Sequence, residues 1–416
     1  MQGSRTGRVS WDAVVIGGGP AGMMAAGRAA ECGHSVLLLE KNATLGKKLL
    51  ITGGGRCNVT NNKELRIMLA KYKGKDKFLF SAFSQFSIED ALSFFHRRGM
   101  ATKEEAEGRI FPVSNSAQSV WNVLVQYMKE GGVRVQTAAA VMAVEARDGQ
   151  FIIKLKDKSE ISAKACIIAA GGISRPETGS TGEGFLWLKK MGHRIVENDF
   201  ALVPVALKDS WVKKLAGVSL RDCKLTTFQN GQKQEASKGT LLFTHVGISG
   251  PMVLNMSRGI GELLKYGEVS IMLDLFPKVD GGELKQQLQT LLVTESNKKI
   301  KNVLGKVIPN ALVPVLLSLA GIDGETPNHS VRSESRKALI RLMKAVPLSV
   351  KGLLGKDKAV VSSGGVSLEE VNFKTMESRT VPGLYVVGDM LDIDRPSGGY
   401  SLQLCWTTGF VAGSSC

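Results

Sequence analysis

The residues best suited to chemistry by type and spacing begin at Gly17-Gly18-Gly19-Pro20-Ala21-Gly22. An apolar run, Ala13 to Ile16, feeds directly into this turn, and a second, Val36 to Leu39, ends on Glu40. Strand, glycine turn, helix and strand in that order make a dinucleotide fingerprint. Gly17 makes the tight turn, Gly19 admits backbone to a pyrophosphate, and Gly22 lets the helix pack on the sheet. The phosphates would sit at the helix start near Pro20 and Ala21, where unpaired N–H groups and the helix dipole favour anions. Glu40, about 20 residues on, would accept hydrogen bonds from a ribose diol.

Three later stretches repeat the theme. The loop from Lys41 to Asn62 holds Lys48 and then Thr52-Gly53-Gly54-Gly55-Arg56-Cys57-Asn58. It reads as a segment along the cofactor, with Lys41, Lys48, Gly54, Arg56, Cys57 and Asn58 as candidate contacts; a plain surface loop is the alternative. The apolar strand Cys166 to Ala170 ends in Gly171-Gly172, where backbone again approaches something closely. Near the C-terminus, Leu384 to Val387 ends in Gly388-Asp389, and Gly398-Gly399-Tyr400-Ser401 opens a helix expected to reach about Val411. A strand ending in Gly-Asp followed by a glycine-started helix has the form of the second FAD sequence of glutathione-reductase-type flavoproteins. Asp389 would then meet a ribityl hydroxyl, and the N–H groups at Gly399 and Tyr400 would face phosphate or the flavin's pyrimidine carbonyl.

Other elements must bring these stretches together. Apolar spacing predicts helices over Ile88 to Arg97 and Ala117 to Glu130, and alternation predicts a hairpin over Val141 to Leu155 around Arg147-Asp148-Gly149. Short strands at close spacing follow: His193 to Glu197, Leu202 to Leu207, Val218 to Phe228, Thr240 to His245 and Val269 to Leu273. Helical segments come next, near Glu283 to Thr294, Asn310 to Ala320 and Ser333 to Lys344. The expected fold is α/β: a Rossmann-type domain of residues 1–192 and 346–416, interrupted by an inserted β-barrel with a small helical subdomain at 193–345.

Composition narrows the classes. No apolar run reaches the roughly 20 residues of a membrane span, and no signal peptide is visible at the start, so a cytoplasmic protein is expected. Six cysteines without a paired spacing suggest neither disulfides nor a zinc site, and no metal is expected. The net charge of +16 reads first as a dispersed, solvated basic surface, with an anionic ligand or nucleic acid as alternatives; the aromatic residues fall mostly at core positions, so nucleic acid is not the expected partner. Nothing in the sequence speaks to oligomeric state.

The segments GGGPAG, LGKKLLITGGGRCNVTN, GRIFPVS, AAGGISRPETGSTGEG, THVGISGP, GGVSLEEVNFKTMES and GLYVVGDMLDIDRPSGGYSLQ together resemble a family of bacterial flavoproteins that includes aminoacetone oxidase-like and bile-acid-reductase-like enzymes. The resemblance spans nearly the whole chain. It implies bound FAD, a split Rossmann-type domain with a barrel insertion, and a backbone contact from Val141 to the adenine. Three positions depart from the family pattern: Asp389 where glutamate is common, Arg395 where glycine is common, and Ser401 where asparagine is usual.

Cys57 has no second cysteine nearby, which argues against a dithiol mechanism. No second dinucleotide turn is present, which leaves transient docking of NAD(P)H as the only nicotinamide role. His245, at a strand end before Gly247-Ile248-Ser249-Gly250, is the candidate catalytic residue because histidine can carry the proton that accompanies hydride transfer; a structural histidine is the alternative. The expected activity is FAD-dependent oxidation or reduction of a small organic molecule, by saturating an activated C=C bond or oxidising an amine. An FAD-containing RNA-modifying or RNA-binding protein is the alternative.

Overall fold

The computed structural model describes residues 10–196, 200–355, 361–362 and 364–416. They fall into two compact units, Met1–Phe200 with Ala359–Cys416, and Ala201–Lys358.

In the first unit, strand β1 (Ser10–Ile16) lies between β2 (Val36–Leu39) and the strand Glu160–Ile168, parallel to both. Strands covered on both faces must be apolar at successive positions, and Val14, Val15, Leu38, Ile167 and Ile168 are fully buried. The short strand Arg134–Gln136 extends the sheet beyond β2. Glu160–Ile168 is shared. Its first half pairs antiparallel with Gln150–Leu155, which in turn pairs with Val141–Arg147. Its second half pairs in parallel with Leu384–Val386, in the register Leu384 to Cys166. Five parallel strands therefore lie side by side. The residues that follow four of them, Gly17, Glu40, Ala169 to Gly171, and Gly388-Asp389, gather at one edge of the sheet.

Helix α1 (Pro20–Glu31) packs against the C-terminal helix Tyr400–Ser415 through small residues. A Cβ on Gly409 would lie 2.5 Å from the Ala21 carbonyl oxygen, and one on Gly413 would lie 2.4 Å from that of Ala25. The expected helices Ile88–Arg97 and Ala117–Glu130 are present, each with a serine N-cap; Ser87 forms a capping box with Asp90. A small antiparallel sheet of Thr60–Asn61, Arg109–Pro112 and Thr102–Glu105 completes the unit.

The second unit is a closed six-stranded barrel. Its order is Val205–Leu207, Gly247–Ser249, Gln232–Thr244, Ser219–Gln229, Val269–Asp274 and Val346–Leu353, the last pairing back to the first. Alternation sends Val269, Ile271 and Leu273 inward. Helices Pro251–Leu264, Gly281–Thr294, Leu312–Leu319 and Ser333–Lys344 accompany it.

The units divide at 200/201 and 358/359, not at 192/193 and 345/346. His193 belongs to the first unit because its Nε2 meets Ser378 Oγ at 2.8 Å and Thr380 Oγ1 at 3.1 Å. Ile195–Val196 pairs with Gly365–Val366 there, and Val346–Leu353 is needed to close the barrel. Glu197, and Ala359 with Val360 from the tail, lie outside the described residues.

Candidate cofactor site

The gathered strand ends enclose a cavity that lies wholly within the first unit. It is lined by Gly17, Gly18, Gly19, Pro20 and Ala21, by Glu40, Lys41 and Lys48, and by Val141, Gly171, Asp389, Ser401 and Cys405. The glycine turn behaves as its spacing predicts. Gly17 has φ 111°, and a Cβ there would sit 2.4 Å from the Ala169 carbonyl oxygen; a Cβ on Gly22 would sit 1.9 Å from that of Gly17. At Gly19 a Cβ would meet nothing within 4 Å. The N-cap Gly19 supplies no side-chain acceptor, so the first N–H groups of α1 keep their hydrogen-bonding capacity and the positive end of the dipole. This donor set, open at Gly19, fits a pyrophosphate.

Glu40 closes one side. Its Oε2 accepts from the Gly18 N–H at 2.7 Å, and its Oε1 accepts from the Asn42 N–H at 2.8 Å and the Asn42 side chain at 2.7 Å. The carboxylate is thus held in one orientation, with lone-pair capacity left on Oε2 for a ribose hydroxyl. Lys41 donates to Thr181 Oγ1 at 2.7 Å and to Glu183 at 2.6 Å, fixing the segment that follows Gly171 along the rim. Val141 is buried in the wall, beside Ala139, whose N–H donates to the Glu40 carbonyl at 2.9 Å.

The opposite side is a charge cluster. Lys48 donates to Ser174 Oγ at 2.7 Å and to Asp389 Oδ2 at 3.1 Å. Arg395 donates to the other Asp389 oxygen, to Ser401 Oγ at 3.0 Å and to the Ile393 carbonyl at 2.6 Å. Burial alone would raise the Asp389 pKa, but Lys48 and Arg395 outweigh it and hold it down at about 2. The three departures from the family pattern, Asp389, Arg395 and Ser401, are therefore one hydrogen-bonded unit. Of the three, Arg395 was not among the expected cofactor contacts; its departure from the family pattern and its closeness to Asp389 in the chain were the signals.

Several expected contacts are not among the lining residues. The Arg56 guanidinium lies 4.2 Å over the Phe111 ring, donates to Asn115 Oδ1 at 3.1 and 2.8 Å, and pairs with Glu105. These contacts tie its side chain to the small sheet, outside the cavity lining. Cys57 is fully buried, and burial pushes its thiol up to about 12. Asn58 Oδ1 is buried with no partner among the described residues, and Gly54 stands in open space. Gly172 is buried next to the lining Gly171. The Gly388 N–H donates to Thr408 Oγ1 at 3.0 Å, so that donor is already engaged.

Gly399 is pressed on the strand Thr60–Asn61, where a Cβ would lie 2.3 Å from the Thr60 carbonyl oxygen. Tyr400 is buried, its carbonyl accepting from Tyr72 at 3.0 Å. Gly399 and Tyr400 are thus packed on protein, whereas Ser401 and Leu402 in the same first turn line the cavity. His245 belongs to the second unit, on an exposed turn between Gln232–Thr244 and Gly247–Ser249. Among the described residues no group of His, Cys, Asp and Glu could hold a metal, and no helix is long and apolar enough to cross a membrane.

A family model described as the HI0933-like protein Rossmann domain matches residues 11–415. The chain is 33% identical over 403 residues to the 3-dehydro-bile acid delta(4,6)-reductase of Clostridium scindens, covering 96% of this chain and 97% of that protein. It is 31% identical over 408 residues to the ribosomal RNA dihydrouridine synthase of Escherichia coli, covering 96% of each. Among solved structures, the 3-ketosteroid delta1-dehydrogenase of Sterolibacterium denitrificans shares the fold with a TM-score of 0.55 at 12% identity, over 97% of this chain and 98% of that one.

Proposed function

The chain belongs to the HI0933-like Rossmann-domain family, and from that premise we propose that it is an FAD-dependent oxidoreductase that saturates an activated carbon–carbon double bond. The observation that carries FAD is the open, uncapped start of α1 at Gly19, with Glu40 fixed at the next strand end and Asp389 at a third. Gly17 to Gly22 would take the pyrophosphate, Glu40 the adenosine ribose, Val141 the adenine edge and Asp389 the ribityl chain. When reduced, the flavin supplies the hydride; the protein orients the substrate and provides the accompanying proton. His245, exposed on a strand-ending turn, is our candidate for that proton. The reaction class is supported by the names of two relatives, since a delta(4,6)-reductase and a dihydrouridine synthase both saturate a ring double bond.

A second reading, with the double bond carried on RNA, is favoured by the distribution of charge. Residues 201–358 hold 23 Lys and Arg against 13 Asp and Glu, a larger excess than in the longer remainder of the chain. Such an excess favours a polyanion.

The test is anaerobic reduction of the FAD-loaded protein by NADH or NADPH, then addition of a conjugated steroid ketone, a uridine-containing ribosomal RNA transcript or an amine. Return of the oxidised flavin absorbance with one alkene, and a product heavier by two hydrogens, is the expected result. Flavin that is instead reduced by amines, and reoxidised by neither alkene, would overturn the proposal. His245→Ala should slow reoxidation by substrate while FAD content stays unchanged.

A further inference from the structure

We propose that Arg395 is a positioning residue that engages Asp389 from behind the cavity wall and so leaves the Lys48 ammonium available to the phosphates of a bound dinucleotide; this rests on the FAD reading above. Lys48 and Asp389 line the cavity, whereas the Arg395 side chain is only 1% exposed. An ammonium and a carboxylate alone would form a closed neutral pair of little use to an anion. Here two cations share one carboxylate, and the cluster keeps one surplus positive charge.

The geometry says which cation stays put. The Arg395 fork is fixed by three acceptors, Ile393 O, Ser401 Oγ and Asp389, and a guanidinium so deeply buried needs its carboxylate. Lys48 is 23% exposed on its side chain and directs two N–H groups to Ser174 and Asp389. Its third has no partner among the described residues. The uncapped start of α1 lines the same cavity, so helix and lysine both favour an anion there.

The test uses the nucleotide-free full-length chain and two probes: FAD, and ADP, which has the adenosine and the pyrophosphate but neither the ribityl chain nor the flavin ring. Wild type should bind both. Arg395→Met should weaken both by about tenfold or more, because Asp389 then neutralises Lys48. Arg395→Lys should stay within about threefold of wild type, since the charge is kept. The double variant Asp389→Asn/Arg395→Met should regain ADP binding to within about threefold, because no carboxylate remains to hold Lys48.

Arg395→Met with wild-type ADP affinity, or a double variant as weak as the single, would overturn the inference. If Arg395→Met does not fold by circular dichroism, the double variant decides alone: wild-type-like ADP binding supports the inference and a tenfold loss defeats it. A wild-type chain that binds neither FAD nor ADP would instead bring down the FAD reading, a separate result.

Discussion

Two helices of the first unit begin on glycine without a side-chain cap, yet they begin for opposite reasons. At Gly19 the space a Cβ would occupy is empty to 4 Å, whereas at Gly399 it is filled by the Thr60 carbonyl oxygen at 2.3 Å. One glycine makes room for a ligand and the other for a neighbouring strand. The two starts differ in what lies against the glycine, while both first turns reach the cavity, through Gly19 to Ala21 at one and through Ser401 and Leu402 at the other. A glycine before a helix is thus not by itself a phosphate site; what lies against it decides.

The comparison can be broken most forcefully at the closed start. Gly399 has φ 100°, so Gly399→Val meets both backbone strain and the Thr60 clash and should cost about 4 kcal/mol of stability, or prevent folding. An unchanged urea midpoint would show that this start is not closed. At the open start Gly19 has φ −80°, which valine adopts without strain. Gly19→Val should therefore hold the unfolding free energy from urea titration within about 1 kcal/mol while weakening FAD binding about 100-fold. Equal losses of stability in the two variants would erase the distinction.

Asp389 lines the same cavity as Gly19. Its folded pKa is below the ordinary 3.8, at about 2. The ionised carboxylate therefore stabilises the fold fully above about pH 4, and the contribution drains away as pH falls through about 2. Wild type should exceed Asp389→Asn by about 2 kcal/mol at pH 6, with the gap shrinking between pH 4 and 2. A gap constant with pH would mean that the charge is not what stabilises. The smallest effect belongs to Cys57, in the loop leading to the strand on which Gly399 closes. Cys57→Ala should cost about 1 kcal/mol and leave FAD affinity alone. With its thiol up at about 12, the native protein should react there with alkylating agents only on unfolding.

What was legible in the sequence was what is local. The glycine turn, Glu40, the capped helices and the Gly-Asp strand end each carry their signal within a few residues. The Asp389, Arg395 and Ser401 unit was not legible as a unit, because its contacts join a turn, an irregular loop and a helix start with no period to betray them. The strand Val346–Leu353, which closes the barrel, was not among the expected strands although its burial alternates cleanly. The helix Pro251–Leu264 was missed because Gly259 and Gly261 lower its propensity. The contacts of Arg56 with Glu105, Asn115 and Phe111 could not be foreseen, since those partners lie about 50 residues away.

The shared strand Glu160–Ile168 has a consequence for the order of events during synthesis. Half of its edge pairs with residues made just before it, and the other half waits for Leu384–Val386. At about 5–20 residues per second the ribosome needs roughly 10 to 40 s to deliver that partner. The whole barrel emerges in the interval and, having its own apolar core, can fold first. Until the last helix arrives, the Cys166 to Ile168 edge and the face of α1 around Ala21 and Ala25 are bare, so the nascent chain at that stage is a natural client for a chaperone.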